Sequence, residues 1–287
     1  MQPITTNDWN QRHPLGQTDL NVSRIGIGSS YGVDAAGLEE AYHEYGINYL
    51  YWGTFRKPNF GTGIQNLALR HRDDLVIALQ TYSRMGSFIK HSLYRAFRKL
   101  KIEYTDILIL GMFNKPPHPR IVETALQLRD KKLVRHLAIS CHHRPTFEQY
   151  ISEGIFNPIM FRYNAAHRGA ESDIFPHLKT PSPRPGTIVY TATRWAHLID
   201  SDRMPEGEHT PSASDCYRFV LSHPEVDVCL TGPANRDQLK EAIRTLSRGK
   251  MDADELAWMH RVGDHVHQQP LGSGLRNRMR SWGGSGA

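Results

Sequence analysis

The chain has 287 residues, 39% hydrophobic and 22% charged, with a net charge of +6. That is enough apolar material for a full core, and the charge fraction is ordinary for a globular protein. The 35 Lys and Arg residues are spread along the chain, which argues against a nucleic-acid-binding arm and for a mildly basic surface. No stretch approaches the roughly 18 apolar residues of a membrane span. The opening MQPITTNDWNQRHPLG lacks the basic-then-apolar pattern of a secretory signal. Cys141, Cys216 and Cys229 are too few and too scattered for a disulfide framework or a zinc cluster. A cytoplasmic protein is expected, with neither nucleic acid nor membrane as a partner.

Short β-branched runs recur along the chain, and each predicts a strand: 24–28, 47–52, 75–80, 105–110, 134–140, 158–163, 187–191 and 226–231. Amphipathic stretches separate them, such as 37–45 and 87–97, the latter with Ser87 as an expected N-cap. The Pro-rich piece 180–185 reads as a loop before the seventh strand. From about residue 269 the Gly- and Arg-rich end has no helical pattern and reads as a mobile tail. No linker divides the chain, so 1–287 is read as one domain. Eight alternations of strand and helix in this length fit an α/β fold of the (β/α)8 TIM-barrel type better than a doubly wound sheet.

In that architecture functional groups gather where strands run out into loops at their C-terminal ends. Those positions give a list that is polar, basic and aromatic. It includes Tyr51 and Trp52, Gln80, Ser140 and His142, Arg162, Asn164 and His167, Thr193 and Arg194, and Gly232. Carboxylates are nearly absent, the nearest being Glu171, so an anionic small molecule is the natural complement. His142, His167 and Glu171 do not have the spacing of a metal set, and no metal is expected.

Four segments, in the right order, resemble aldo-keto reductases. They are 14–28 (PLGQTDLNVSRIGIG), 93–106 (LYRAFRKLKIEYTD), 131–140 (KKLVRHLAIS) and 230–242 (LTGPANRDQLKEA). The resemblance spans about residues 14–265. It implies a (β/α)8 barrel that binds NADP(H) in an extended pose without a Rossmann fingerprint. It also implies carbonyl chemistry run by an Asp, a Tyr, a Lys and a His. At those four positions this chain has Tyr51, Arg56, Gln80 and Gly111. Four replacements remove the standard mechanism. A carbonyl reduction still needs a proton source, so the expected catalytic residues are Tyr51 with Arg56, which could lower its phenol pKa, and His142 and His167. Trp52, Gln80, Arg162 and Asn164 are the expected substrate contacts.

For the cofactor, the resemblance points to Ser140 and Thr193, with Arg194 on a phosphate. It also points to the loop after the eighth strand. There Gly232 permits close backbone approach, Asn235 caps a helix, Ala234 and Gln238 face the nucleotide, and Arg236 meets a 2′-phosphate. Glu241 completes the set. Met160 stands where the family holds the nicotinamide amide and cannot replace it. An NADP(H)-dependent oxidoreductase is therefore expected. The alternatives are a cofactor-independent barrel enzyme, such as a lyase, isomerase or cyclase, and a non-catalytic NADP(H)-binding protein.

Overall fold

The computed structural model describes residues 8–53, 57–179 and 184–270. A two-stranded hairpin comes first, β1 (His13–Pro14) and β2 (Asn21–Val22). Eight parallel strands then close into a barrel in chain order: β3 (Ile25–Gly28), β4 (Tyr49–Trp52), β5 (Val76–Thr81), β6 (Thr105–Leu110), β7 (Val134–Ser140), β8 (Ile159–Arg162), β9 (Thr187–Tyr190) and β10 (Val228–Thr231), with β10 pairing back to β3. All eight predicted strands are present, β6 and β7 with the predicted ends. Both faces of these strands are covered, so they read as continuous apolar runs, as buried parallel strands do.

The helices are α1 (Ala35–Tyr45), α2 (Pro58–His71), α3 (Gly86–Leu100), α4 (Pro119–Asp130), α5 (Thr146–Glu153), α6 (Ala170–Asp173), α7 (Phe175–Leu178), α8 (Ala213–Leu221), α9 (Arg236–Arg248) and α10 (Ala253–Gln268). Asn235 caps α9 as expected, its side chain accepting the Gln238 N–H at 2.9 Å. Ser87 is not a cap. The helix starts one residue before it, after Met85, whose extended backbone ends the loop. Arg56, and the tail beyond Pro270, lie outside the described residues.

Strand alternation sorts the side chains. Tyr49, Tyr51, Val76, Ala78, Ile107, Ile109, Met160 and Ile188 point into the barrel. Trp52 points outward into the layer under the helices. The IGIG of β3 makes room for the YLYW of β4: Gly26 pairs with Tyr49 and Gly28 with Tyr51. A Cβ on Gly26 would stand 2.6 Å from the Tyr49 ring. The hairpin closes the N-terminal mouth of the barrel, with Leu15, Leu20 and Val22 buried against the interior.

Candidate active site

A cavity of about 1500 Å3 opens at the C-terminal strand ends. At one end β4 presents Tyr51, β5 Gln80, β7 Ser140 and β9 Tyr190, with His142 just past β7. Tyr51 is buried, and its hydroxyl donates to Gln80 Oε1. Gly111 leaves the space that the Gln80 amide and the Tyr82 ring occupy; any Cβ there would collide with Gln80 Nε2. So three of the positions that the sequence singles out, 51, 80 and 111, do meet. Burial raises the Tyr51 pKa well above the phenol range, and the phenols of Tyr82, Tyr49 and Tyr190 push it the same way. Tyr51 is therefore a neutral hydrogen-bond donor here, not an incipient phenolate.

His142 stands across from Tyr190, its Nε2 3.4 Å from the Tyr190 hydroxyl, with the rings edge-on. Burial lowers the His142 pKa, and the charge of Arg162 lowers it further. The imidazole is thus neutral at pH 7, able to accept or donate one proton at Nε2 according to tautomer. Its backbone N–H donates to Asn114 Oδ1 at 2.8 Å, which fixes the turn after β7. Ser140 Oγ accepts the Met112 N–H at 3.0 Å. Cys141 beside it is buried, with its thiol pushed up to about 11 by burial, and is no nucleophile.

The middle of the cavity is a long connection, residues 191–212, between β9 and α8. Thr191, Arg194, Trp195 and Ala196 all have positive φ, between 49° and 70°. Each such non-glycine residue costs on the order of 1–2 kcal/mol, so the surrounding packing imposes this shape. Asn164 is one constraint, donating to the Thr191 carbonyl at 2.8 Å. Thr193 lines the cavity. The far end is the Gly232 loop. Gly232 carries the Tyr31 ring against its backbone, where a Cβ would stand 2.6 Å from it. Gln238 Oε1 accepts the Ala234 N–H at 2.9 Å, and Glu241 accepts the Ser214 N–H at 3.2 Å.

Several expected site residues sit elsewhere. Arg194 is buried with its guanidinium turned to the C-terminus of α10. It donates to the carbonyl of Val266, and to those of His267 at 3.4 Å and Gln269 at 3.3 Å. It closes a helix end instead of facing an anion. Trp52 packs outward, near Gly61 of α2, because the strand period puts it opposite Tyr51. His167 is off the cavity wall, its ring edge-on to His267 of α10 at 5.0 Å, and burial with nearby arginines lowers its pKa to about 4. Asn164 is fully buried, with its amide used on Thr191 and on the N–H groups of Ala166 and His167. Arg162 ends β8 opposite Tyr190 but is not on the wall. Arg236 is half-exposed and bridged to Asp34 at 3.6 Å and Glu40 at 3.5 Å on the α1 side. Among the described residues no three His, Cys, Asp or Glu side chains gather in a metal-holding group, and no helix is long and apolar enough to cross a membrane.

Other wall residues carry no flag in the sequence list. Tyr190 is one, although the inward alternation from Ile188 predicts it. Asp200, Asp202 and Arg203 are others, and nothing in a loop sequence says that it folds over a cavity.

No protein-family model matches the chain. The uncharacterized oxidoreductase YqkF of Bacillus subtilis (strain 168) is 21% identical over 293 residues, spanning 86% of this chain and 94% of that protein. The holo form of aldo-keto reductase AKR11C1 from Bacillus halodurans superposes with a TM-score of 0.74 at 19% identity, over 88% of this chain and 96% of that one. The aldo-keto reductase from Klebsiella pneumoniae in complex with NADPH gives 0.71 at 18% identity, over 88% and 95%. The fold is that of the aldo-keto reductases. Within this barrel, the cavity occupies the C-terminal end where such folds carry their sites.

Proposed function

We propose that the chain is an aldo-keto-reductase-type, NADP(H)-dependent oxidoreductase that acts on a small-molecule carbonyl with a non-standard set of proton-handling residues. What supports this most is a single cavity of about 1500 Å3 joining Tyr51, Gln80 and His142 at one end to Gly232, Gln238 and Glu241 at the other. Pockets for drug-sized ligands run to about 1000 Å3, so this one has room for a dinucleotide and a small substrate together. The residues present fit such a cofactor in part. Asn235 opens a capped helix beside the Gly232 loop, and Ser140 and Thr193 offer hydroxyls to the cavity. Met160 offers no amide, and Arg236 has to leave Asp34 and Glu40 to reach a 2′-phosphate.

Bound NADP(H) would supply or accept the hydride. The chain's own part is to hold the carbonyl oxygen and to deliver a proton. Tyr51 is the donor, with Gln80 Oε1 orienting its hydroxyl. Because its pKa is raised, it is a weaker acid than an ordinary phenol. Transfer therefore comes late, when the oxygen has become strongly basic. His142 and Tyr190 form a second pair on the opposite wall that can donate to the same oxygen. Fluorescence titration with NADPH followed by NADPH oxidation over a panel of aldehydes and ketones tests the proposal; no binding overturns it. The Tyr51–Gln80 bond also favours a second reading, a non-catalytic NADP(H)-binding protein in which these side chains satisfy each other. Binding without turnover on any carbonyl would select it.

A further inference from the structure

The arginines that follow β7, β8 and β9 are engaged with partners. Arg144 pairs with Asp173 at 2.7 Å and Arg168 with Asp264 at 2.8 Å. Arg203 meets Asp200 at 3.4 Å. Arg194 donates to the carbonyls that end α10. Arg162, at the end of β8, differs. It is partly buried, and among the described residues no hydrogen bond or ion pair reaches its guanidinium. A partly desolvated charge without a counter-charge is costly to the fold, and such groups cluster where a ligand completes them.

Strand register sets its place. Ser140 pairs with Met160, and Arg162 with Tyr190. Met160 points into the barrel, so the two-residue period sends Arg162 to the same side, one step nearer the C-terminal mouth. His142 lies the same two residues past Ser140. His142, Arg162 and Tyr190 thus form a row across three neighbouring strands, and Met160, His142 and Tyr190 all line the cavity. Burial lowers the His142 pKa and raises that of Tyr190, and the Arg162 charge is felt at both, lowering each. The row therefore offers one positive charge and two neutral side chains that can donate. A carboxylate matches it, since it takes a guanidinium through paired N–H donors and has lone pairs left for a further donor. A phosphate dianion would bring a second charge that the row does not match. In the closed strand order β8 lies across the barrel from β4, so an acid group at Arg162 puts the other end of a small molecule toward Tyr51.

We propose that the carbonyl substrate is an oxo acid whose carboxylate is bound by Arg162, turned into the cavity, with the Tyr190 hydroxyl as a further donor. The proposal rests on the oxidoreductase reading and names the substrate class of that same site.

Matched pairs of substrates test this. Pyruvate, succinic semialdehyde and para-formylbenzoate are each compared with the methyl ester, by kcat/KM for NADPH oxidation. For at least one pair wild type should favour the acid by about tenfold or more, the scale of a charge-assisted hydrogen bond. In Arg162→Met that acid-to-ester ratio should fall about tenfold, through a higher KM for the acid, and Arg162→Lys should recover part of it. A merely structural role for Arg162 would lower acid and ester alike and leave the ratio unmoved, which overturns the proposal. Where Arg162→Met fails to fold by thermal melting, Arg162→Gln, polar in a partly buried place, is read in the same way. Preference for para-formylphenyl phosphate over para-formylbenzoate would overturn the carboxylate assignment. Wild-type protein that oxidises NADPH with no carbonyl, acid or ester, defeats the oxidoreductase reading and this proposal with it. Turnover of carbonyls with no preference for any acid defeats this proposal alone.

Discussion

At the N-terminal mouth of the barrel two buried carboxylates, Asp106 and Asp227, are matched by arginines. Asp106 is fully buried between Arg72 and Arg135, each at 2.9 Å, and accepts the Ile77 N–H. Arg135 continues to Asp19, which also meets His136 at 2.6 Å. Asp227 holds Arg184 at 2.7 Å and the Thr187 N–H at 2.9 Å. At the C-terminal mouth the wall mixes phenols, imidazoles and amides with the charges of Asp200, Asp202, Arg203 and Glu241, with backbone in the left-handed region and a large void. The same eight strands thus end in a closed electrostatic lattice at one mouth and an open polar cavity at the other. Groups locked together in buried ion pairs stabilise; groups that border a cavity are placed to meet a ligand.

The contrast breaks most sharply at Asp106. Asp106→Ala leaves Arg72 and Arg135 without their buried counter-charge and should cost about 3–5 kcal/mol, read as a lower denaturant midpoint. Tyr51→Phe at the other mouth should change stability by no more than about 1.5 kcal/mol, the scale of one hydrogen bond. NADPH affinity should hold, but carbonyl turnover should fall about 100-fold or more, as for a lost general acid. Full activity in Tyr51→Phe, with His142→Ala dead, would transfer the chemistry to the opposite wall. Gly26→Ala, between the mouths, pushes a methyl into the Tyr49 ring and should cost about 1–3 kcal/mol by overpacking, without touching ligand affinity in excess of that loss. Arg236→Ala should weaken NADPH about tenfold or less relative to NADH, since the arginine is half-exposed and already bridged. Equal loss for both cofactors would remove it from the 2′-phosphate.

Titration sharpens the same comparison with a smaller effect. His13 at the closed mouth and His167 at the open one both have pKa values lowered to about 4, chiefly by burial. Each is neutral when folded and takes up a proton near pH 6.5 when unfolded. Above pH 6.5 both states are neutral and the full stability is present. As pH falls from 6.5 to about 4 the unfolded state binds more protons, so stability declines, and below about 4 this contribution is flat. His13→Gln and His167→Gln should each flatten part of that decline in urea melts taken across the window. A slope unchanged in both variants would assign it to carboxylates instead.

The sequence by itself determined the barrel. Eight β-branched runs with helical spacers have one economical closure, and burial on both faces of a parallel sheet writes that pattern into each strand. The Asn235 cap was legible because it depends on neighbours within a few residues. Inside the strands, strict alternation makes Tyr51 inward and Trp52 outward, a distinction present in the sequence once the register is known. The Arg194 contacts with α10, 72 and more residues away, and the pairing of His167 with His267 were decided only by the tertiary structure. So was the placing of Arg203, Asp200 and Asp202 on the cavity wall. A loop residue's partner comes from whichever element happens to pack against it, and no local periodicity carries that information.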